Sequence, residues 1–271
     1  MSVLEEILAK KKAEVQERKA LYSQKLLEQS IFFENRIVSL KKYLLREDKS
    51  GIIAEIKRKS PSKGVINQNV SIERISIGYM QAGASALSVL TDQTFFGGSN
   101  EDLKVARKFN FCPILRKDFI IDEYQIVEAK AIGADAILLI AAALTEREMK
   151  DLAAFAKSLG LETLMEVHNE EELEKGLNEN IDLVGVNNRD LSTFEVSLNT
   201  SFELASKIPG SFIKVSESGI SSPSQIVELK EAGFDGFLIG QNFMEQSRPE
   251  RACAEFIEEL SRLDRRAYAK S

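Results

Sequence analysis

The sequence predicts a closed (β/α)8 barrel preceded by a helical extension, and three observations carry that prediction. After Gly51, short apolar runs recur at intervals of roughly twenty to thirty-five residues. Each run is followed by loop residues and then by a helical pattern, and several of those helical stretches end in glycine. Near-continuous apolar strands alternating with helices form a parallel sheet whose outer face is covered. Eight such units in about 220 residues fit a closed barrel, with a doubly wound sheet of eight strands as the structural rival.

The elements follow in order. From Ser2 to about Leu45 the pattern is helical, with Leu4, Ile7, Leu8, Leu21, Leu26 and Leu27 set among Lys, Glu and Gln. The eight strand candidates are IIAEIK (52–57), ALSVL (86–90), PILRK (113–117), AILLI (136–140), ETLMEV (162–167), LVGVNN (183–188), FIKVSE (212–217) and GFLIG (236–240). Helical stretches between them include IERISIGYMQAGA, DEYQIVEAKAIGA, EREMKDLAAFAKSLG, EEELEKGLNEN and SPSQIVELKEAGF. A C-terminal glycine on such a stretch is a helix stop signal. No linker or low-complexity tract interrupts the pattern. Residues 1–271 are therefore expected to form one domain, with 1–45 packed on the barrel.

Composition narrows the function classes. A net charge of −6 and a pI near 5.2 argue against general nucleic-acid binding, which needs a basic domain, and leave a small anionic metabolite open. Two cysteines, Cys112 and Cys253, lie far apart with no CxxC pair, and His168 is the single histidine. A reducing compartment is expected, and neither a zinc site nor a multi-histidine metal site is. The amphipathic, charged start MSVLEEILAKKKAEV is no secretory leader, and AILLIAAAL (136–144) is too short to span a bilayer. The expectation is a cytoplasmic protein without membrane or nucleic-acid partners.

Strand parity then sorts the charges. Side chains alternate along a strand, so Ile53, Glu55 and Lys57 share one face and Ile52, Ala54 and Ile56 the other. The all-apolar set must face the helices, which sends Glu55 and Lys57 into the barrel. Arg58 and Lys59 fall beyond the strand and are expected to be solvated. The same test turns Lys117, Glu166, Asn187, Arg189 and Glu217 inward, each at the C-terminal end of its strand, where active sites of this fold assemble. One buried Lys–Glu pair can be a plain ion pair. Several polar groups converging on one mouth are costly to desolvate unless a ligand or reaction offsets the cost. SESGISS (216–222) and FLIGQNFM (237–244) add a glycine after each of the last two strands, in the loops that bind phosphate in such barrels.

AEIKRKSPSKG, LTDQTFFGGS, PILRKDFIIDEYQI, VGVNNRDL, VSESGI and FLIGQNFM together resemble the indole-3-glycerol phosphate synthase family over essentially the whole chain. The resemblance implies ring closure of 1-(2-carboxyphenylamino)-1-deoxyribulose 5-phosphate with loss of CO₂ and water, without metal or organic cofactor. A monomer is the separate expectation. It implies Lys117 as the general acid at the ketone oxygen, Glu166 as the acid/base partner in dehydration, and Lys57 as a substrate contact also linked to dehydration. Glu55, Asn187 and Glu217 would position the substrate and tune the lysines, with Arg189 in the same network. Ser60, Phe96 and Phe119 would line the pocket, and Ser218, Gly219, Gly240 and the backbone of Gln241 would hold the phosphate. Gln241 departs from the small residue common at its position. Other phosphate-binding barrels, such as phosphoribosylanthranilate isomerase or the tryptophan synthase α subunit, would not need two inward lysines with Glu166.

This chemistry sets two electrostatic expectations. A buried lysine near another cation would have its pKa lowered toward neutrality, and a carboxyl in a partly apolar mouth would have its pKa raised. Which lysine serves which step stays open. His168 is expected in a loop or supporting position, Lys63 at the rim, and the cysteines in ordinary packing.

Overall fold

A computed structural model describes residues 2–191 and 193–268. Eight parallel strands close into a barrel: β1 (Ile52–Ile56), β2 (Ala86–Leu90), β3 (Ile114–Lys117), β4 (Ala136–Ile140), β5 (Glu162–Val167), β6 (Leu183–Asn187), β7 (Ile213–Glu217) and β8 (Gly236–Ile239). β1 pairs with both β2 and β8, which completes the ring. All eight predicted runs are strands, each to within a residue at either end.

Parity holds. Ile52, Ala54 and Ile56 belong to the apolar layer between strands and helices, whereas Ile53, Ala86, Leu115, Leu138, Leu164, Leu183, Val215 and Leu238 pack inside the barrel. The outer layer is closed by α4 (Ile72–Gln81), α5 (Asn100–Phe109), α6 (Glu123–Ala131), α7 (Glu146–Ser158), α8 (Glu170–Gly176), α9 (Asn199–Ala205), α10 (Pro223–Glu231) and α12 (Pro249–Tyr268), with the four-residue α11 (Gln241–Met244) after β8. Among the described residues, no helix is long and apolar enough to cross a membrane.

The N-terminal segment differs from one helical stretch. It holds α1 (Val3–Leu21), α2 (Gln24–Leu27) and α3 (Leu40–Leu44), separated by turns. Each helix restarts at a serine cap: Ser2, with a reciprocal Glu5 bond, then Ser23 and Ser39. Between α2 and α3 the chain makes short local turn bonds and anchors itself to the barrel. Ser30 donates to the Ala131 carbonyl, Val38 N–H donates to Asp135 Oδ1 at 2.8 Å, and Ser39 and Lys41 N–H bind Glu162. Leu40 and Leu44 of α3 join the interior cluster and floor the barrel, while Val3, Leu4 and Ile7 of α1 reach its opposite mouth.

Candidate active site

A cavity of about 560 Å³ opens at the C-terminal ends of the strands. Its walls include Glu55, Lys57, Ser60, Phe96, Lys117, Phe119, Glu166, Asn187, Arg189, Glu217, Ser218, Gly219, Gly240 and Gln241, so every site residue inferred from sequence lies on this one surface. Lys63 joins them at the rim and is half-exposed.

The centre is Lys117, the last residue of β3. Its Nζ donates to Glu166 Oε2 at 2.9 Å and to Glu217 Oε2, from β5 and β7. Asn187 of β6 donates Nδ2–H to the other oxygen of Glu166 at 3.1 Å. On the opposite wall Lys57 Nζ donates to Glu55 Oε1 at 2.8 Å, and Ser88 donates to Glu55 Oε2. The Phe96 and Phe119 rings lie 5.9 Å apart between centroids, tilted by 38°, and form an aromatic wall. Arg189 fixes its guanidinium on the Phe194 carbonyl and on Gln241 Oε1 at 3.3 Å. The Gln241 amide in turn donates to Glu245.

Electrostatics reverse the expectation for the lysine and place the raised carboxyl at Glu217 instead of Glu166. Burial would lower the Lys117 pKa, but the neighbouring Glu166 and Glu217 carboxylates outweigh it and hold the ammonium well above the ordinary lysine range. Burial likewise pushes Glu166 up, yet Lys117 and His168 pull it down to about 2. The carboxyl that rises is Glu217, driven by burial and by Glu166 to about 7, against the pull of Lys117. The expected neighbouring cation is instead a pair of anions, from strands remote in sequence, so the sign of the Lys117 shift reverses.

The phosphate-type loops are shaped by close approach. Ser218 adopts a left-handed backbone with φ 66° and Gly219 follows at φ 81°. Such a conformation at a non-glycine residue is strained and persists only when its surroundings impose it. Here buried Asn188 does so, with Nδ2 bound to Ser216 Oγ and to the carbonyls of Glu217 and Ser218 at 3.0–3.1 Å. A Cβ on Gly219 would meet Val196 at 2.5 Å, and one on Gly240 would meet Glu55 Oε1 at 2.6 Å. Both glycines let a neighbouring wall close in.

Two further placements differ from the sequence reading, and one agrees. Arg58 is not solvated: it makes a two-pronged ion pair with Asp102 and also binds the Gly97 carbonyl. Lys59 Nζ donates to the Thr94 carbonyl, so both residues staple the β1 loop to the loop after β2. His168 stands behind Glu166 in a supporting position, as expected, with Nε2 3.6 Å from Glu166 Oε1. Sequence reasoning misses the α1 contribution to the cavity. The helical period flags Leu4 and Ile7 as an apolar face but carries no information on what that face covers. Both cysteines are buried. Among the described residues, no cluster of three His, Cys, Asp or Glu could hold a metal ion.

Comparisons with known proteins agree with this geometry. The family model for indole-3-glycerol phosphate synthase matches residues 4–256. A protein of that name from Bacteroides thetaiotaomicron is 48% identical over 258 residues, covering 95% of this chain and 98% of its own. Another from Polaromonas naphthalenivorans is 43% identical over 260 residues, covering 95% and 99%. Among solved structures, tryptophan synthase subunit alpha from Legionella pneumophila superposes with a TM-score of 0.59 at 14% identity, over 82% of this chain and 96% of that one, a likeness of fold.

Proposed function

The chain belongs to the indole-3-glycerol phosphate synthase family, carboxy-lyases of tryptophan biosynthesis, and from that premise we propose how its barrel mouth divides the work. The observation that carries the reading is the Lys117 ammonium, set in the cavity wall between Glu166 and Glu217. An ammonium kept charged by two carboxylates is a ready proton donor to a ketone oxygen, and its donation permits attack by the aromatic carbon that bears the carboxylate. Loss of CO₂ then restores the aromatic ring. Dehydration follows, in which the hydroxyl leaves as water and a methylene proton is removed.

Glu166 serves the dehydration. Once Lys117 has given up its proton, the main force holding Glu166 ionised is gone and its basicity rises. The same carboxylate then becomes able to carry a proton to the leaving hydroxyl. Lys57, oriented by Glu55, offers a second cation for the substrate's carboxylate or phosphate and for dehydration. Ser60, Phe96 and Phe119 enclose the aromatic part, Asn187 orients Glu166, and Arg189 completes the polar wall. Ser218, Gly219, Gly240 and the Gln241 backbone hold the phosphate. These side chains supply the acid–base chemistry themselves, and we read the enzyme as needing no cofactor, metal, nucleic-acid or membrane partner.

We also read residues 1–271 as one domain, with 1–45 as the extension, acting as a monomer in the cytoplasm, on the chain's even strand–helix pattern and unpaired cysteines. The assay is the rise of indole absorbance on adding the anilino ribulose phosphate. Wild type is expected to turn over, and Lys117→Ala to lose roughly 10²–10⁴-fold in kcat. An inactive wild type would sink the assignment, and an active Lys117→Ala would sink the general-acid role.

A further inference from the structure

The single histidine lies outside the cavity wall, yet its side chain is built into the catalytic cluster. His168 follows β5, and its Nδ1 lies 3.0 Å from Glu172 Oε2 on the first turn of α8. The same Glu172 oxygen accepts the His168 backbone N–H at 2.8 Å, which fixes the ring. Its Nε2 is buried, has no hydrogen-bond partner among the described residues, and points at Glu166 Oε1 from 3.6 Å. The His168 side chain is 10% exposed and the Glu172 side chain 17%, so exposure increases outward along the row. Glu166, His168 and Glu172 thus form a file from the cavity to the side of the barrel.

The reaction, on the reading of the site given above, needs such a file. The ketone oxygen departs as water carrying two added protons, one C–H proton is returned, and the carboxylate departs as CO₂, leaving its electron pair to the ring. One proton per turnover must therefore come from solvent, while the substrate occupies the mouth. We propose that His168 and Glu172 form a proton relay that recharges Glu166 from the side of the barrel during turnover.

The relay works by ordinary acid–base steps. Imidazolium Nε2–H gives its proton to Glu166 after Lys117 has lost its charge, and the neutral ring, left with its proton at Nδ1 beside Glu172, regains the one at Nε2 from solvent after turning about its Cβ–Cγ bond. Three carboxylates act on the ring: Glu172 from α8, Glu166 from its own strand, and Glu217 from β7. Burial disfavours the imidazolium, but these carboxylates outweigh it and raise its pKa above the ordinary histidine value. His168 acts through Glu166 and is a positioning and relay residue.

The test compares wild type with His168→Gln and Glu172→Gln, each shown folded by circular dichroism. In rapid mixing, His168→Gln is expected to close the ring and release CO₂ within about twofold of wild type, because Lys117 starts charged, and to slow at the dehydration, where Glu166 needs its proton. Its steady-state kcat is expected to fall roughly tenfold or more, with added imidazole restoring rate in proportion to its concentration. The alkaline limb due to the imidazole should vanish from the pH profile. Glu172→Gln should give a smaller steady-state loss of the same kind. An inactive wild type overturns the reading of the site and the relay with it. An active wild type with a His168→Gln kcat within twofold, or a loss equal in CO₂ release and in dehydration and insensitive to imidazole, overturns the relay alone.

Discussion

Two buried ammonium groups lie on opposite sides of the aromatic wall, and the difference between them separates scaffold from chemistry. Lys11 of α1, with a side chain 2% exposed, sits 2.9 Å from each of Glu14, Asp92 and Asp118. The aspartate oxygens are all engaged: Asp92 also accepts the Phe95 and Phe96 N–H groups, and Asp118 accepts Phe119 N–H, Thr91 and Arg116. The cluster fastens α1 to the two loops that carry Phe96 and Phe119. Lys117 is paired just as closely, but it opens on the cavity, and Glu217 Oε1 beside it is buried without a partner among the described residues. A saturated cluster has no capacity left for a ligand, whereas an unsaturated one pays desolvation that only function explains.

The comparison breaks first at Lys117. Lys117→Met should cut kcat roughly 10²–10⁴-fold in the indole assay while moving the melting temperature little, because one of the facing carboxyls takes up a proton. If stability falls more than activity, the cluster is scaffold. Lys11→Met should do the reverse. It leaves Asp92 and Asp118 buried and uncompensated, at a cost of about 3–5 kcal/mol in denaturant unfolding, with a far smaller change in kcat than at Lys117.

Glu217→Gln sharpens the contrast through pH. The folded protein holds a proton on Glu217 up to about pH 7, which the unfolded chain releases near the ordinary 4.5. Stability from this group is therefore full below about 4.5 and is lost as pH rises through about 7. Glu166, lowered to about 2, runs the other way, its contribution present above 4.5 and lost as pH falls through about 2. Melting curves should show Glu217→Gln gaining on wild type between pH 5 and 8, and a constant offset would refute the assignment. The smallest effect is expected at Gln241→Ser, which releases the Arg189 guanidinium from its 3.3 Å contact. A change in KM of about threefold with kcat preserved matches one neutral-partner hydrogen bond, and kcat loss without a KM change would not.

Most of the barrel was legible because its signal is local. The alternation of Ile53, Glu55 and Lys57 against Ile52, Ala54 and Ile56 is enough to orient β1, and the same rule turned Lys117, Glu166, Asn187 and Glu217 into one mouth. What stayed hidden depends on distant partners. Lys117 and Glu217 are 100 residues apart, so the sign of the Lys117 shift could not be read from either neighbourhood. Lys11 reads as one of three consecutive lysines on a charged helix, and only the packing of α1 against the loops of Asp92 and Asp118 buries it. Arg58 looked solvated because its partner, Asp102, lies 44 residues on. The segment between α2 and α3 is likewise anchored by bonds to Asp135 and Glu162, partners distant in sequence.

The central claim is that protons move in the Lys117 cluster and not in the Lys11 cluster. A carboxyl-carbon NMR titration of the folded protein from pH 5 to 9 tests it directly. One buried carboxyl should titrate with a midpoint near 7 and disappear from the spectrum of Glu217→Gln, while Asp118, held down at about 2 by Lys11 and Arg116 against its burial, stays flat throughout. A spectrum without that midpoint, or one in which it persists in Glu217→Gln, would contradict the account.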